Sequence, residues 1–145
     1  MNKKKTIKEK TQEIERNAVR QTITDMLYKQ GGDVACDLFC DLFDALSLNV
    51  HTTAKDKGWW DSKRSDGECV ALMHSELSEA LEAMRHGNPK SDHIPEFTGV
   101  EEELADVIIR IMDFAHEREM NVAAAVITKM GFNQSRPKMH GGKKF

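Results

Sequence analysis

Two short segments of the chain each carry a pair of acidic residues three positions apart. HSELSEALEAMR contains Glu76 and Glu79, and EEELADVIIRIMD contains Glu103 and Asp106. Residues i and i+3 of an α-helix project from one face, so folding the two segments into a helical hairpin would bring four carboxylates together. Converging carboxylates repel one another unless a cation lies between them. The spacing therefore predicts a cation site between two helices.

Carboxylate oxygens are ligands typical of a hard divalent cation. Mg²⁺ binds oxygen ligands at about 2.0 to 2.1 Å and is commonly held by carboxylates together with substrate phosphates. Such ions can activate water and stabilise the leaving oxygen of a phosphate displacement. A di-iron centre would need a Glu-x-x-His from each of two helices, and Asp113-x-x-His116 is the one similar match. Acidic pairs also arise by chance, so a solvated acidic surface remains an open alternative.

Charge is distributed unevenly along the sequence. Residues 1–65 carry 12 Lys and Arg against 10 Asp and Glu, residues 66–119 carry 4 against 14, and residues 120–145 carry 5 against none. An acidic centre followed by a tail without acids favours an anionic ligand that arrives with metal cations. Duplex nucleic acid would require a basic surface, so we exclude it as a partner.

Length and composition indicate one helical domain. The chain has 145 residues, enough to bury a core, and its scarcity of Gly, Pro and aromatic residues favours helix over strand. No apolar run approaches the ~20 residues of a membrane span, and the Lys-rich start leads into no apolar signal region. We therefore expect a cytoplasmic protein without a membrane partner. Three cysteines without a CxxC pair predict thiols in a reducing compartment.

Apolar periodicity predicts five helices and therefore an all-α fold. The expected helices cover approximately residues 6–30, 34–57, 66–86, 100–119 and 121–130. Gly58, Gly87 and Gly131 mark expected helix ends, and Asp66 is the expected N-cap of the third helix. The fourth helix is apolar on most sides, which predicts its burial. The second helix is predicted to bury Ala35, Leu38, Phe39, Leu42, Leu46 and Val50.

Two adjacent tryptophans, Trp59 and Trp60, lie in the loop before the first acidic helix. Adjacent side chains point in different directions, so at most one indole is expected to enter the core. The other can stack on a nucleobase, an interaction that contributes ~1 to 3 kcal/mol per base. The alternative, that both indoles are packing anchors, stays open.

Taken together, these blocks resemble the MazG-like, all-α nucleoside triphosphate pyrophosphohydrolases, whose hallmark is E-x-x-E, a spacer and E-x-x-D. The resemblance covers roughly residues 50–145. It includes KGWWD, both acidic segments, and KMGFNQSRPKMHGGKKF, which is similar to that family's K-x-x-x-N segment and terminal RP…HGGK. E-x-x-E alone is weakly specific, whereas four blocks in this order are specific. We divide the chain into an N-terminal helical extension, residues 1–32, and a MazG-like domain, residues 33–145.

The resemblance implies an enzyme that hydrolyses a (deoxy)nucleoside triphosphate to the monophosphate and pyrophosphate and so cleanses the nucleotide pool. Mg²⁺ is the implied cofactor, with Mn²⁺ as a substitute. A homodimer or homotetramer is also implied, in which a bundle of four to five helices per chain is completed across subunits. The alternative is a regulatory helical module that binds a nucleotide or metal without cleaving it. The expected catalytic residues and metal ligands are Glu76, Glu79, Glu103 and Asp106. The expected nucleotide-binding residues are Trp59, Trp60, Arg110, Lys129 and Asn133.

Overall fold

The computed structural model describes residues 7–29 and 33–137. Across these ranges the secondary structure consists of α-helices joined by turns, and the one β-type pairing is an isolated antiparallel bridge between Lys90 and Thr98. The all-α class predicted from the sequence is confirmed. No helix in the described part combines the length and apolar character that a membrane span requires. The helices are α1 (Ile7–Lys29), α2 (Asp33–Asp56), α3 (Asp66–Arg85), α4 (Gly99–Glu117) and α5 (Val122–Ser135).

The chain forms two compact units, Met1–Asp41 and Leu42–Phe145. The first unit contains α1, which is weakly amphipathic and leaves Ile14 and Val19 exposed. The second unit contains the rest of α2, the helices α3 to α5 and both acidic pairs. The division into an extension and a MazG-like domain at residue 33 stays a prediction.

Local capping residues determine where α3 and α4 begin. Ser65, one residue before the predicted cap, is the N-cap of α3, and its hydroxyl accepts a hydrogen bond from the Glu68 amide at 3.1 Å. Asp66 is instead the first residue of α3, where its negative charge is favourable at the positive end of the helix dipole. Thr98 caps α4 in a capping box with Glu101, in which each side chain bonds the backbone N–H of the other residue.

The ends of α2 and α3 follow the glycine signals in the sequence. Gly58 and Gly87 have φ of +80° and +81°, a conformation that costs L-residues with a Cβ about 1 to 2 kcal/mol. In each case the following residue donates its N–H to a carbonyl of the last helical turn, as in a Schellman motif. Glu119 has φ of +50° after α4 and makes the same turn although it carries a Cβ.

Helix α5 extends beyond the predicted end at Gly131. It continues to Ser135, because a glycine inside a helix costs only about 1 kcal/mol relative to alanine and does not force a stop. A Cβ at Gly131 would meet no atom within 4 Å. Lys129 and Asn133 therefore both lie on α5. The predicted tail after Pro137 lies outside the described residues.

Helices α3 and α4 form the antiparallel hairpin that the acidic segments predicted. In the middle of the pair, Arg110 of α4 donates from Nε to Oε1 of Glu76 on α3 at 2.6 Å. At its open end, Nε of Arg118 lies 2.8 Å from Oδ1 of Asp66. A Cβ on Gly99 would lie only 3.2 Å from the Cβ of Ala83, so the two helices are in close contact beside the loop. The hairpin brings Glu76 of α3 close to Glu103 and Asp106 of α4.

The buried apolar residues are mostly small, and no large side chain in the described ranges is fully buried. Leu77 and Leu81 of α3 and Leu104 and Ile108 of α4 are between 45% and 53% exposed. The expected burial of the fourth helix on most sides is therefore wrong for the single chain. The buried apolar residues are Ala35, Cys69, Ala80, Val100, Met112, Ala115 and Ala123.

Ala35 of α2 is buried as predicted, but the second half of this helix buries a different face from the one predicted. Leu42 and Leu46 are 56% and 55% exposed, whereas Ser47 and His51 are 3% and 5% exposed. The Ser47 hydroxyl donates to the Phe43 carbonyl at 2.8 Å, and the His51 ring contacts carboxylates of α4. The polar side of this half of α2 packs on α4 because α4 supplies the hydrogen-bond partners that these residues need.

Candidate functional site

Three carboxylates converge in the middle of the hairpin. Glu76 of α3 and Glu103 and Asp106 of α4 can each place one oxygen so that all three lie within 4.8 Å of one another. We call these residues the carboxylate cluster. Glu76 is buried, while the two α4 residues are half-buried and project from one helix face, one turn apart. The structure thus brings together three of the four acids singled out in the sequence.

Glu79, the fourth acid, lies outside the carboxylate cluster. It is one turn along α3 from Glu76, and its side chain is exposed. Its charge nevertheless contributes to raising the pKa of Glu103, so it belongs to the same electrostatic environment. The spacing identified the correct helix face but not the different burial of the two glutamates.

The carboxylate cluster carries more negative charge than its surroundings offset. Burial, the charge of Glu79 and a hydrogen bond with Glu76 raise the pKa of Glu103 from 4.5 to about 7. Burial and the charge of Glu76 also raise the pKa of Asp106, against the opposing charge of Arg110. A proton or a cation entering the cluster would relieve this repulsion.

Arg110 is the cation already present beside the carboxylate cluster. Its guanidinium pairs with Oε1 of Glu76 across the hairpin, through Nε at 2.6 Å and Nη2 at 2.5 Å. The Glu76 side chain is only 7% exposed and requires a compensating charge. The same guanidinium lies 5.9 Å from the ring centroid of Trp59. Arg110 therefore connects the cluster to the tryptophan loop.

A cleft of about 260 Å³ adjoins the carboxylate cluster. Its volume is just below the ~300 Å³ at the lower end of typical small-molecule pockets. Lys57 and Arg110 provide cations in its wall, Trp59 provides an aromatic ring, and Asp106 and Asp113 provide carboxylates. Asp106 belongs to both the cluster and the cleft, so a ligand in the cleft lies beside the converging acids.

The two tryptophans occupy different environments, as their adjacency predicted. Trp60 is half-buried, and its indole N–H donates to Oδ1 and Oδ2 of Asp113 at 2.9 and 3.1 Å. Trp59 is 53% exposed and lines the cleft. Of the pair, Trp59 is the indole available to a ligand, while Trp60 anchors the loop.

His51 is a buried residue that the sequence analysis did not single out. Its Nδ1 lies 2.8 Å from Oδ1 of Asp113, and its Nε2 lies 3.2 Å from Oε2 of Glu117. His51 was missed because it lies outside the apolar stripe of α2. The sequence does contain a pattern that could have identified it. Ser47 and His51 are polar residues at i and i+4 on one helix, and the acids Asp113 and Glu117 have the same spacing on another.

Two arginines, Arg64 and Arg118, lie close to the indole rings of the tryptophan loop. The Arg64 guanidinium lies 5.4 Å from the ring centroids of both Trp59 and Trp60. Arg64 as a whole is only 8% exposed. Arg118 lies 5.6 Å from the Trp60 ring and donates to the Arg64 carbonyl at 3.1 Å. Cations over indole faces are favourable, so these contacts restrict the loop.

Lys129 and Asn133 are exposed on α5 and do not line the cleft. The Lys129 ammonium lies 4.6 Å from the ring centroid of Phe132 on the same helix. Their assignment to nucleotide binding stays a prediction. The glycine pair of the predicted HGGK segment lies outside the described residues.

No protein-family model, no curated protein and no solved structure matches the chain.

Proposed function

We propose that the protein is a Mg²⁺-dependent nucleoside triphosphate pyrophosphohydrolase, which converts a (deoxy)nucleoside triphosphate to the monophosphate and pyrophosphate, as the MazG-like resemblance implies. The observation that best supports this proposal is that Asp106 belongs both to the carboxylate cluster and to the wall of the cleft. Phosphates that carry a divalent cation can lie against Asp106 while the base lies against Trp59. Removal of non-canonical or surplus nucleotides is the role that we assign to this activity.

The donor set of the carboxylate cluster fits Mg²⁺. Three carboxylate oxygens within 4.8 Å of one another are hard ligands, and Mg²⁺ completes its shell with water and substrate phosphate. Burial and repulsion by neighbouring carboxylates raise the pKa values of Glu103 and Asp106, and a divalent cation would offset the repulsion. When bound, Mg²⁺ supplies electrostatic stabilisation of the charge on the reacting phosphates. Mn²⁺ prefers the same ligands and is expected to substitute.

The remaining residues of the site bind and orient the substrate. Lys57 and Arg110 place positive charge in the cleft wall, where it attracts the triphosphate. The exposed Trp59 ring offers a stacking surface for the base. Glu79 is exposed beside the cluster, and we assign it to orienting the attacking water, because a base for this step must be reachable by water and close to the phosphates.

A second copy of the chain is the partner that we propose for the outer surface of the hairpin. The half-exposed side chains of Leu77, Leu81, Leu104 and Ile108 belong to α3 and α4, the helices that carry the acids. Burial of such side chains contributes about 1.5 to 3 kcal/mol each, which favours association. Light scattering should give the mass of a homodimer or homotetramer. A monomer at micromolar concentration would contradict this part of the proposal.

The activity is tested by incubating the protein with Mg²⁺ and a panel of canonical and modified triphosphates. We expect monophosphate and pyrophosphate from at least one substrate. Glu79→Gln and Asp106→Asn should nearly abolish turnover while leaving the thermal midpoint unchanged or higher, since each change removes a repelling charge. Asp92→Asn, a change at an exposed acid in the loop before α4, is the matched control and should retain activity.

The same panel separates the enzyme from a binding module. A folded wild-type protein that binds a triphosphate with Mg²⁺ in calorimetry, but forms no product over hours, would overturn the proposed hydrolysis and favour regulation by binding. If neither Mg²⁺ nor nucleotide changes the melting temperature, the acids are a solvated surface, because a ligand of the folded state must stabilise it.

A further inference from the structure

Asp113 is a half-buried acid of α4 that the proposed chemistry does not use. It lies two turns after Asp106 on α4, close to the same helix face, and its side chain is 14% exposed. Its carboxylate accepts the indole N–H of Trp60 at 2.9 and 3.1 Å and lies 2.8 Å from Nδ1 of His51. One carboxylate thus holds the last turns of α2 and the tryptophan loop against α4.

The groups bound to Asp113 are themselves held from other directions. The guanidinium groups of Arg64 and Arg118 lie 5.4 and 5.6 Å from the centroid of the Trp60 ring. The other ring nitrogen of His51 lies 3.2 Å from Oε2 of Glu117. Because an indole nitrogen can only donate, a carboxylate in this place fixes the orientation of the ring.

Anchoring Trp60 determines where Trp59 lies. The turn between α2 and Trp60 is closed by the Trp59 amide, which donates to the Ala54 carbonyl at 3.0 Å, and by the Asp61 amide, which donates to the Gly58 carbonyl at 3.2 Å. Adjacent side chains project in different directions, so with Trp60 directed at Asp113 the Trp59 ring lies in the cleft wall, where it is 53% exposed.

We infer that Asp113 is a positioning residue of the nucleotide site: by binding Trp60 and His51 it fixes the Trp59 ring at the distance from Asp106 that a nucleotide must span. The inference rests on the proposed function, in which Trp59 stacks on the base and Asp106 lies at the phosphates. Asp113 lies in the wall of the cleft but is not one of the three acids of the carboxylate cluster. Its loss should therefore impair substrate binding more than the chemical step.

The variant that tests this role is Asp113→Asn, which keeps the shape of the side chain. An asparagine offers one acceptor oxygen, and its NH₂ group cannot accept a hydrogen bond from the indole or the imidazole. A stacked base contributes on the order of fivefold to a hundredfold in affinity, so a displaced Trp59 should raise KM about fivefold or more. We expect kcat to stay within about twofold, because the acids of the reaction are unchanged.

A second readout does not depend on activity. The chain has two tryptophans and therefore two indole N–H resonances, which Trp59→Phe assigns. In the wild-type protein the Trp60 resonance should exchange slowly with solvent, since its proton is bonded to a half-buried carboxylate. In Asp113→Asn this resonance should shift and exchange faster.

Asp61→Asn is the matched control, because it makes the same chemical change at an exposed position in the tryptophan loop. It should leave KM, kcat and the Trp60 resonance as in the wild type. If Asp113→Asn does not fold, Trp60→Phe removes the donor instead and should raise KM in the same way.

The outcomes separate this inference from the proposed function. An unchanged Trp60 resonance in Asp113→Asn, an unchanged KM, or a fall in kcat alone would each overturn the positioning role. A wild-type protein that turns over no triphosphate would overturn the proposed function and the nucleotide role of Asp113 together. In that case the Trp60 resonance still decides whether Asp113 anchors the loop.

Discussion

Replacing Glu103 by glutamine should make the metal-free protein more stable above pH 7. The carboxylate of Glu103 is partly buried and lies close to Glu76, Glu79 and Asp106, which together raise its pKa from 4.5 to about 7. Glutamine has nearly the same shape and carries no charge. The substitution therefore removes repulsion without creating a cavity.

The size of the effect follows from the pKa. One pKa unit corresponds to about 1.4 kcal/mol, so the shift from 4.5 to about 7 sets an upper bound of about 3.5 kcal/mol. Water still reaches the Glu103 side chain and screens its interactions, which reduces the expected gain to about 1 kcal/mol. This gain is measurable as a shift in the midpoint of urea unfolding at pH 8 with EDTA present.

The gain should depend on pH with a definite sign. The folded protein holds the Glu103 proton more tightly than the unfolded chain does, so folded wild-type protein loses stability as pH rises from about 4.5 to about 7. Below pH 4.5 the carboxyl is protonated in both states, and Glu103→Gln should match the wild type. Above pH 7 the difference between the variants should be constant.

The adjacent residue provides the matched control. Hydrogen bonds from Ser91 and His93 lower the pKa of Glu102, so its charge stabilises the fold above pH 4.5, and this contribution is lost as pH falls through the lowered pKa. Glu102→Gln should thus destabilise the protein at pH 8, where Glu103→Gln stabilises it. Equal effects of the two variants, or a loss of stability in Glu103→Gln at pH 8, would refute the view of the cluster as a site of excess negative charge.

Three further predictions concern stability and metal binding. Arg110→Met should lower the free energy of unfolding by about 3 kcal/mol, because it leaves the buried Glu76 carboxylate without a cation. Adding Glu76→Gln to this variant should recover most of the loss. Urea unfolding of both variants measures the effect, and an unchanged midpoint in Arg110→Met would show that the ion pair is not needed. Glu119→Gly should raise stability by about 1 kcal/mol, since glycine adopts the positive φ of this turn without strain; a lower thermal midpoint would contradict the turn geometry. Millimolar Mg²⁺ should raise the melting temperature of the wild type, and EDTA should reverse this rise. The melting temperature of Asp106→Asn should change little. An equal rise in the wild type and in Asp106→Asn would show that the ion binds elsewhere.

The helices were predictable from the sequence because local chemistry determines them. Apolar periodicity located all five within the described residues, and Gly58 and Gly87 marked two of the ends. Two predicted helix ends differ from the structure. Ser65 rather than Asp66 caps α3, and α5 continues through Gly131 to Ser135.

The contacts between helices were less predictable, because spacing along one helix does not determine which residue faces it. The two acidic pairs indicated the correct helix faces, yet only the structure shows that Arg110 binds Glu76 across the hairpin and that Glu79 stays exposed. Helix α2 is the clearest case. Its Leu stripe is open in the single chain, and its buried face carries His51, whose partners are distant in sequence.

The identity of the products tests the central claim most directly. Phosphorus NMR of a triphosphate incubated with the protein and Mg²⁺ distinguishes cleavage between the α and β phosphates from loss of the terminal phosphate. We predict equal amounts of nucleoside monophosphate and pyrophosphate, formed by the wild type and not by Asp106→Asn. Diphosphate with orthophosphate, or unchanged triphosphate in the presence of folded protein, would contradict the proposed function.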